Sequence, residues 1–264
     1  MSQRKYLWIG LIAARANLAY FGEAVTRVIF LGIILYVFLC LWRVTYAETG
    51  AERLSGLSLR QLLWYLAITE AVVLSAPRVA PEVDQDVRTG ALALQLIRPL
   101  SYPFYRLWTS TGERVVRFLL NAVVGSAIAW VFVGPLSLTP EGLIFLALAL
   151  PLAFTLDFLS YFLIGLGAFW LEDTSGLTII YSRLTLILGG TMIPIGLFPE
   201  AWQPILRWLP FASIVGGPAR LFVDPDPALF GQLILRQGIA VLFFTLGVGV
   251  VYRAAIKRVQ AHGG

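Results

Sequence analysis

The sequence has little of the chemistry on which most enzymes depend. Its 264 residues include one histidine and one cysteine, and only 13% are charged, whereas soluble domains carry about 25% charged residues. The single cysteine, Cys40, allows neither an intrachain disulfide nor a Cys-x-x-Cys metal or redox motif. The single histidine, His262, lies in the tail, so general-base and zinc chemistry lose their usual residue.

The motifs of nucleotide and hydrolytic chemistry are missing as well. No G-x-x-x-x-G-K-S/T loop occurs, and that loop is what cradles nucleotide phosphates in P-loop ATPases. Neither the H-E-x-x-H zinc motif nor the G-x-S-x-G nucleophile elbow is present. We therefore predict that the chain is not an enzyme, has no catalytic residue, and binds no metal ion or cofactor of its own.

Apolar residues, in contrast, are abundant: 58% of the chain is hydrophobic and its mean hydropathy is +0.80. They form long runs, and a helix needs about 20 mostly apolar residues to cross the hydrocarbon core of a bilayer. We predict one all-α polytopic domain over residues 1–264, with six transmembrane helices at Ala24–Val44, Leu59–Ala76, Val115–Val133, Leu143–Leu171, Leu177–Leu197 and Leu233–Tyr252. Pro151 is expected to break the fourth helix.

The distribution of Lys and Arg predicts the orientation. These residues sit at the ends of the apolar runs and form no patch for nucleic acid, despite a formal net charge of +5. With the N-terminus in the cytoplasm, the outside segments carry four of these residues and the inside segments carry ten: Arg4, Lys5, Arg15, Arg78, Arg88, Arg98, Arg106, Arg253, Lys257 and Arg258. Because excess Lys and Arg mark the cytoplasmic side, we predict that both termini are cytoplasmic and that the chain has no nucleic-acid partner.

The segment before the first transmembrane helix, residues 1–22, has a different pattern. Its apolar side chains can share one helical face, whereas Arg4, Lys5 and Arg15 are basic. This pattern is typical of an amphipathic helix that lies in the cytoplasmic interface of the membrane. A frayed N-terminus is the alternative.

The longest cytoplasmic loop by this topology spans residues 81–103. Pro81 can open a helix, Gly90 is a natural break, and Pro99 stops whatever follows. Three acidic residues suit the positive N-terminal end of that helix: Glu82, Asp84 and Asp86. We predict one or two short amphipathic helices, which either bind a soluble partner or pack against the transmembrane helices of the chain itself.

A second unusual segment, residues 198–218, precedes the last transmembrane helix on the outside. Four prolines within this segment and one just before it prevent a single straight helix: Pro194, Pro199, Pro204, Pro210 and Pro218. Trp202 and Trp208 are placed as interface anchors. Since irregular backbone at membrane depth must be buried in protein or line a cavity, we predict short re-entrant or interfacial helices, with a plain external loop as the alternative.

Two acidic residues lie inside predicted transmembrane helices. Glu70 is near the middle of the second helix, and Asp157 is near the middle of the fourth, where Ser160 and Tyr161 extend a small polar face. Ionisable residues at such positions are functional candidates by default. They serve either in a substrate path or proton relay, or in a structural ion pair, with three candidate partners: Arg114, Arg117 and Arg183.

Two motifs resemble one family of membrane proteins. The first comprises Asp86-Val-Arg-Thr-Gly90 and Leu96-Ile-Arg-Pro99-Leu-Ser-Tyr102, and the second is Gly190…Pro194…Phe198-Pro199…Leu209-Pro210-Phe211. In sequence and placement they resemble the cytoplasmic loop and the last external segment of type-2 ABC exporter permeases, in a poorly characterised bacterial subgroup. Six transmembrane helices and an amphipathic N-terminal helix also match that family.

The resemblance implies partners and a function. It implies a permease in the bacterial inner membrane, paired with a second, identical or homologous permease chain. Two soluble P-loop ATPase subunits would bind ATP and Mg and dock on a coupling helix formed by Glu82, Asp84, Asp86, Arg88, Gly90, Leu94, Leu96 and Arg98. The exit would be capped by short re-entrant helices, with Pro194, Pro199, Trp202 and Pro210 among their residues.

Such a permease exports its substrate by alternating access. The many aromatic residues suit an amphiphilic or apolar substrate, and membrane anchoring and packing explain them equally well. The identity of the substrate and of the second permease chain stays open. Two alternatives also stay open: a proton-coupled secondary transporter that uses Glu70 and Asp157, and a membrane scaffold that transports nothing.

Overall fold

The computed structural model describes residues 4–18 and 21–262, of which residues 18, 21–25 and 259–262 are described by their backbone alone. This part of the chain is helical and contains no strand, so the all-α prediction is confirmed. Its helices are α1 (Arg4–Leu18), α2 (Phe21–Thr49), α3 (Leu59–Leu74), α4 (Val79–Arg88), α5 (Ala91–Leu96), α6 (Tyr102–Val133), α7 (Pro140–Leu166), α8 (Ser175–Leu188), α9 (Gln203–Trp208), α10 (Pro210–Ile214), α11 (Gly216–Val223) and α12 (Pro227–His262). The side chain of His262 and parts of the 1–22 segment lie outside the described residues.

Five helical stretches of the described chain are long and apolar enough to cross a membrane. They are Thr26–Thr49, Leu59–Arg88, Tyr102–Val133, Pro140–Phe169 and Pro227–Arg258. The second stretch joins α3 to α4, and the fourth adds a 3₁₀ turn to the end of α7. Each of the five overlaps one of the six predicted transmembrane helices.

The fifth predicted transmembrane helix, Leu177–Leu197, is shorter in the structure. Helix α8 ends at Leu188 after 14 residues, a length of about 21 Å against a hydrocarbon core of about 30 Å. The cause is Gly190, whose φ of +85° is left-handed and whose carbonyl accepts a hydrogen bond of 2.7 Å from the Tyr65 hydroxyl. The six-helix count therefore stays a prediction.

The expected break at Pro151 is wrong, because α7 runs continuously from Pro140 to Leu166. Proline removes a single N–H donor, and the turns on either side keep their own hydrogen bonds. The hydroxyl of Thr155 donates to the Pro151 carbonyl at 2.8 Å. Packing of α7 against α4, α11 and α12 holds the helix along its length, as neighbouring helices commonly do around prolines in membranes.

The N-terminal helix α1 is present and packs along α6. The two helices approach closely where Gly10 faces Gly112, because a Cβ on Gly112 would collide with the Gly10 carbonyl. The Tyr6 hydroxyl accepts a hydrogen bond of 2.9 Å from the backbone N–H of Ser101. Trp8 and Ile12 remain exposed, so α1 presents an apolar side to its surroundings, and its interfacial position stays a prediction.

The centre of the fold is formed by α3 and α7. Every residue of α3 from Leu62 to Val72 is buried, and α7 contributes buried residues along most of its length. The outer helices are much less buried. In the most apolar part of α12, 11% of the residues are buried, whereas in the most apolar part of the α3–α4 stretch 72% are buried. The exposed apolar surface of the outer helices suits contact with lipid or with another membrane protein.

Candidate functional site

The predicted coupling loop forms two short helices separated by a left-handed turn. Helix α4 ends at Arg88, α5 begins at Ala91, and Gly90 between them has a φ of +71°. Glycine adopts this conformation without steric cost, so the predicted break at Gly90 is confirmed. Helix α4 begins at Val79, two residues before the predicted start at Pro81.

One face of α4 is anchored on α7. Val83 is fully buried, and Gly165 of α7 leaves room for it. A Cβ added to Gly165 would lie 2.7 Å from the Val83 Cβ and 2.9 Å from the Ala80 carbonyl oxygen. The backbones of α4 and α7 therefore approach more closely than any larger residue would permit.

Two of the acidic residues predicted to contact a partner bind Arg106 of α6. The Arg106 guanidinium donates to a Glu82 carboxylate oxygen at 2.7 Å and also pairs with Asp86. Asp86 in addition accepts a hydrogen bond of 2.6 Å from the Tyr102 hydroxyl. These contacts fix α4 to the first turns of α6, where charge-assisted hydrogen bonds are the strong ones.

The third acidic residue, Asp84, is buried and connects α4 to the segment before α8. Its carboxylate accepts hydrogen bonds from the hydroxyl and, at 3.1 Å, the backbone N–H of Thr174. It also pairs with Arg88, which lies 3.9 Å from Asp173. The three carboxylates are thus bonded within the chain, and their contact with a partner stays a prediction.

The most exposed apolar side chains of this region lie at the end of α5, and the predicted contact residues Arg88 and Gly90 are exposed as well. Leu94 and Ile97 are 68% and 80% exposed, and Arg98 beside them is exposed too. Leu96 is half-buried, whereas Leu92 is buried and fastens α5 to the protein. Ile97 was not among the residues predicted to contact a partner, although its position two residues before Pro99 was a usable signal.

A buried polar cluster lies where four helices meet. Arg114 of α6 donates to Asp157 of α7 at 2.6 Å, and both side chains are less than 5% exposed. Tyr181 of α8 donates to the other Asp157 oxygen at 3.1 Å, and Arg114 reaches the Val72 carbonyl of α3 at 3.4 Å. The Arg114 guanidinium also lies over the Phe154 ring, 4.3 Å from its centroid.

The structural ion pair proposed for Asp157 is therefore present, with Arg114 as its partner. Ser160 is buried and donates to the Leu156 carbonyl at 3.0 Å, while the Tyr161 ring packs edge-on against Tyr181 at 4.6 Å. Both residues thus border the cluster. Sequence reasoning missed Tyr181, because nothing in the pattern of α8 indicates which face it turns towards α7.

Glu70 is buried elsewhere along α3, with 3% of its surface exposed. Among the described residues no side chain forms a hydrogen bond or ion pair with its carboxylate, in contrast to Asp157. A buried carboxylate without a partner is costly when charged. The other predicted partners lie apart from it, since Arg117 binds Asn17 and Glu113, and Arg183 is exposed on α8.

The proline-rich segment that was predicted to be external forms short helices, as predicted. Pro194 precedes a 3₁₀ turn, Pro199 precedes the turn that leads to Trp202, and Pro210 is the first residue of α10. The Gln203 side chain donates to the Phe198 carbonyl at 2.9 Å and so closes the connection. Trp202 and Trp208 are each 59% exposed, and their depth in a membrane stays a prediction.

The family of the chain follows from its sequence match. The sequence model of one family, described as ABC-2 family transporter protein, matches residues 31–263. This range covers nearly all of the chain, which therefore belongs to the ABC-2 family of transporter proteins, and the resemblance inferred from the loop motifs is confirmed. No match was found among curated proteins.

Membership defines the class of the protein. It is a multi-pass membrane permease component of an ABC transporter. Members of the family are non-catalytic membrane subunits, and the family implies association with an ATPase subunit, where ATP hydrolysis takes place. This agrees with the P-loop missing from the sequence.

Proposed function

We propose that the chain is the membrane-spanning subunit of an ATP-driven exporter, and that it contacts its ATPase through the end of α5. In this proposal two permease chains and two ATPase subunits move an amphiphilic or apolar substrate out of the cell by alternating access. The observation that carries it is the exposure of Leu94 and Ile97 on a helix pair that ion pairs fasten to α6 and close packing fastens to α7.

The exposed apolar pair suits a permanent partner. Burying a leucine or isoleucine side chain contributes about 1.5–3 kcal/mol, so a partner that covers both side chains gains from the hydrophobic effect. Arg98 adjoins the pair and offers a charge for the rim of the contact. The carboxylates of α4 act in this proposal by holding the pair in place and transmitting its movement to α6.

We expect Leu94→Asp and Ile97→Asp to weaken ATPase binding by about tenfold or more, because each places a charge in an apolar contact. The measurement is the amount of ATPase recovered with the tagged permease from its native membrane, quantified by mass spectrometry. Leu138→Asp is the matched control, since Leu138 is similarly exposed but lies between α6 and α7. Unchanged recovery with both α5 variants would contradict the proposed contact.

One observation favours proton-coupled transport as a second candidate, namely that the Glu70 carboxylate is buried and has no side-chain partner among the described residues. The two candidates differ in energy source. In cells, export by the proposed mechanism stops when ATP is depleted and persists when an uncoupler collapses the proton gradient while ATP is maintained. The opposite result would favour Glu70 as a proton carrier.

A further inference from the structure

A cavity of about 210 Å³ lies between the external segment and α12. Its walls come from α3, α9, α10, α11 and α12, and from the connections that precede α3 and α9. Three of the lining residues are arginines on three different helices: Arg207 of α9, Arg220 of α11 and Arg236 of α12. No carboxylate is among its lining residues, so the cavity concentrates positive charge.

Two of these arginines have only neutral partners among the described residues. Arg220 pairs with Asp224 at 2.6 Å, outside the lining. Arg207 contacts the Gln203 side-chain oxygen at 3.4 Å, and Arg236 contacts the equivalent oxygen of Gln232 at 3.0 Å. Each of these bonds joins residues four positions apart on one helix and leaves most of the guanidinium donors unused.

The arrangement favours an anion. Like charges that converge on one small volume repel each other, and Arg236 is partly buried, whereas Arg207 is exposed. The Arg236 guanidinium is held in place by the Trp208 ring, whose centroid lies 5.6 Å away. The Arg236 guanidinium is therefore positioned before any ligand arrives, which reduces the entropy lost on binding.

We propose that this arginine cavity binds a phosphate group. A guanidinium presents a planar fork of donors that matches phosphate oxygens, and a tetrahedral phosphate can accept from several forks at once. The volume lies below the 300–1,000 Å³ typical of drug-sized ligands and suits a small headgroup. Nothing in this assignment depends on the direction or energy source of transport.

The apolar residues of the lining help to distinguish two sources of the phosphate, a lipid headgroup and free phosphate. Leu229 is 37% exposed at the cavity and Leu233 is buried beside it. A lipid phosphate would leave its acyl chains against such a surface, whereas free phosphate would not use it. The phosphate is the shared chemistry, and the experiment separates the two sources.

The test is equilibrium binding to the purified, detergent-solubilised protein, followed by native mass spectrometry. The probes are dioleoylphosphatidylglycerol, dioleoylglycerol, which lacks the phosphate, and inorganic phosphate. We expect the phospholipid to bind and dioleoylglycerol to bind at least tenfold more weakly. Competition by inorganic phosphate alone at millimolar concentration would show that free phosphate suffices, while its failure would show that the lipid is required.

The variants are Arg207→Gln and Arg236→Gln, with Arg253→Gln as the matched control because Arg253 is exposed on the same helix as Arg236. We expect about tenfold weaker binding for each cavity variant, the loss of one charge-assisted pair, and no change for the control. Arg236→Lys keeps the charge and should lose part of the affinity if the protein folds normally. Equal affinity of the three glutamine variants, or equal binding of dioleoylglycerol and the phospholipid, would overturn the proposal.

Discussion

At the scale of single residues, Arg114 and Asp157 show how two charges are kept inside a membrane protein. Each is almost completely buried, and the two form an ion pair at 2.6 Å. Removing one partner of such a pair leaves an uncompensated charge and costs about 3–5 kcal/mol. We therefore expect Arg114→Met to lower the melting temperature of the detergent-solubilised protein strongly, as measured by loss of its monodisperse peak on heating.

Two further variants distinguish a structural role of the Arg114–Asp157 pair from a role in transport. Arg114→Met combined with Asp157→Leu removes both charges, so we expect it to be more stable than Arg114→Met alone. Tyr181→Phe removes a single hydrogen bond to Asp157 and should have a smaller effect than Arg114→Met. A single variant with normal stability and no transport would contradict a structural role and make Asp157 part of the substrate path.

The same residues show what sequence could predict about the site. The apolar sequence around Asp157 indicated that burying its carboxylate costs free energy, and Arg114 was one of three proposed partners. The choice among them required the packing of α6 on α7, since the pair is separated by 43 residues. The inward bonds of Asp84 and Asp86 could not be predicted either, because the helical pattern of α4 does not specify which neighbour it meets.

At the scale of helices, the contact of α4 with α7 depends on one glycine. Because a Cβ at position 165 would overlap Val83, we expect Gly165→Ala to displace α4 and reduce both thermal stability and recovery of the ATPase. Gly238→Ala in α12 is the matched control, since no atom lies within 4 Å of its added Cβ. The control should be neutral or gain up to about 1 kcal/mol of helix stability.

A Gly165→Ala variant that melts at the wild-type temperature and retains its ATPase would contradict this prediction. It would show that α4 and α7 can move apart without loss of stability or ATPase binding, so that the close approach has no role in coupling. If stability falls while ATPase recovery is unchanged, the contact serves folding alone. Both measurements are made on the same purified sample, so the two effects can be compared directly.

Helix existence was predictable because long apolar runs have few alternatives in a membrane. The ends of the helices were harder to predict, and the physical reason differs from one helix end to another. The end of α8 depends on Tyr65, which is more than a hundred positions away and bonds the Gly190 carbonyl. Helix α6 begins at Tyr102, well before the predicted Val115. Arg106, a charged residue in its early turns, forms ion pairs with Glu82 and Asp86 of α4, and these contacts stabilise the early turns as helix.

At the scale of the whole molecule, apolar surface is concentrated on the outer helices. In α12, Phe243 is 71% exposed and Val250 is 68% exposed, and in α6 Val131 is 82% exposed. Lipid can cover all of this surface, yet a permease needs a path that lipid does not fill. In the proposed function, a second permease chain provides the other wall of that path.

We therefore expect two permease chains in each assembly. Two copies with different affinity tags are expressed together, and the complex is purified through the first tag under gentle detergent conditions. Recovery of the second tag would show that the pair is a homodimer, whereas recovery of a different multi-pass protein at an equal amount would show a heterodimer. A complex whose native mass contains one 29.1 kDa permease chain and no other membrane subunit would contradict the paired arrangement.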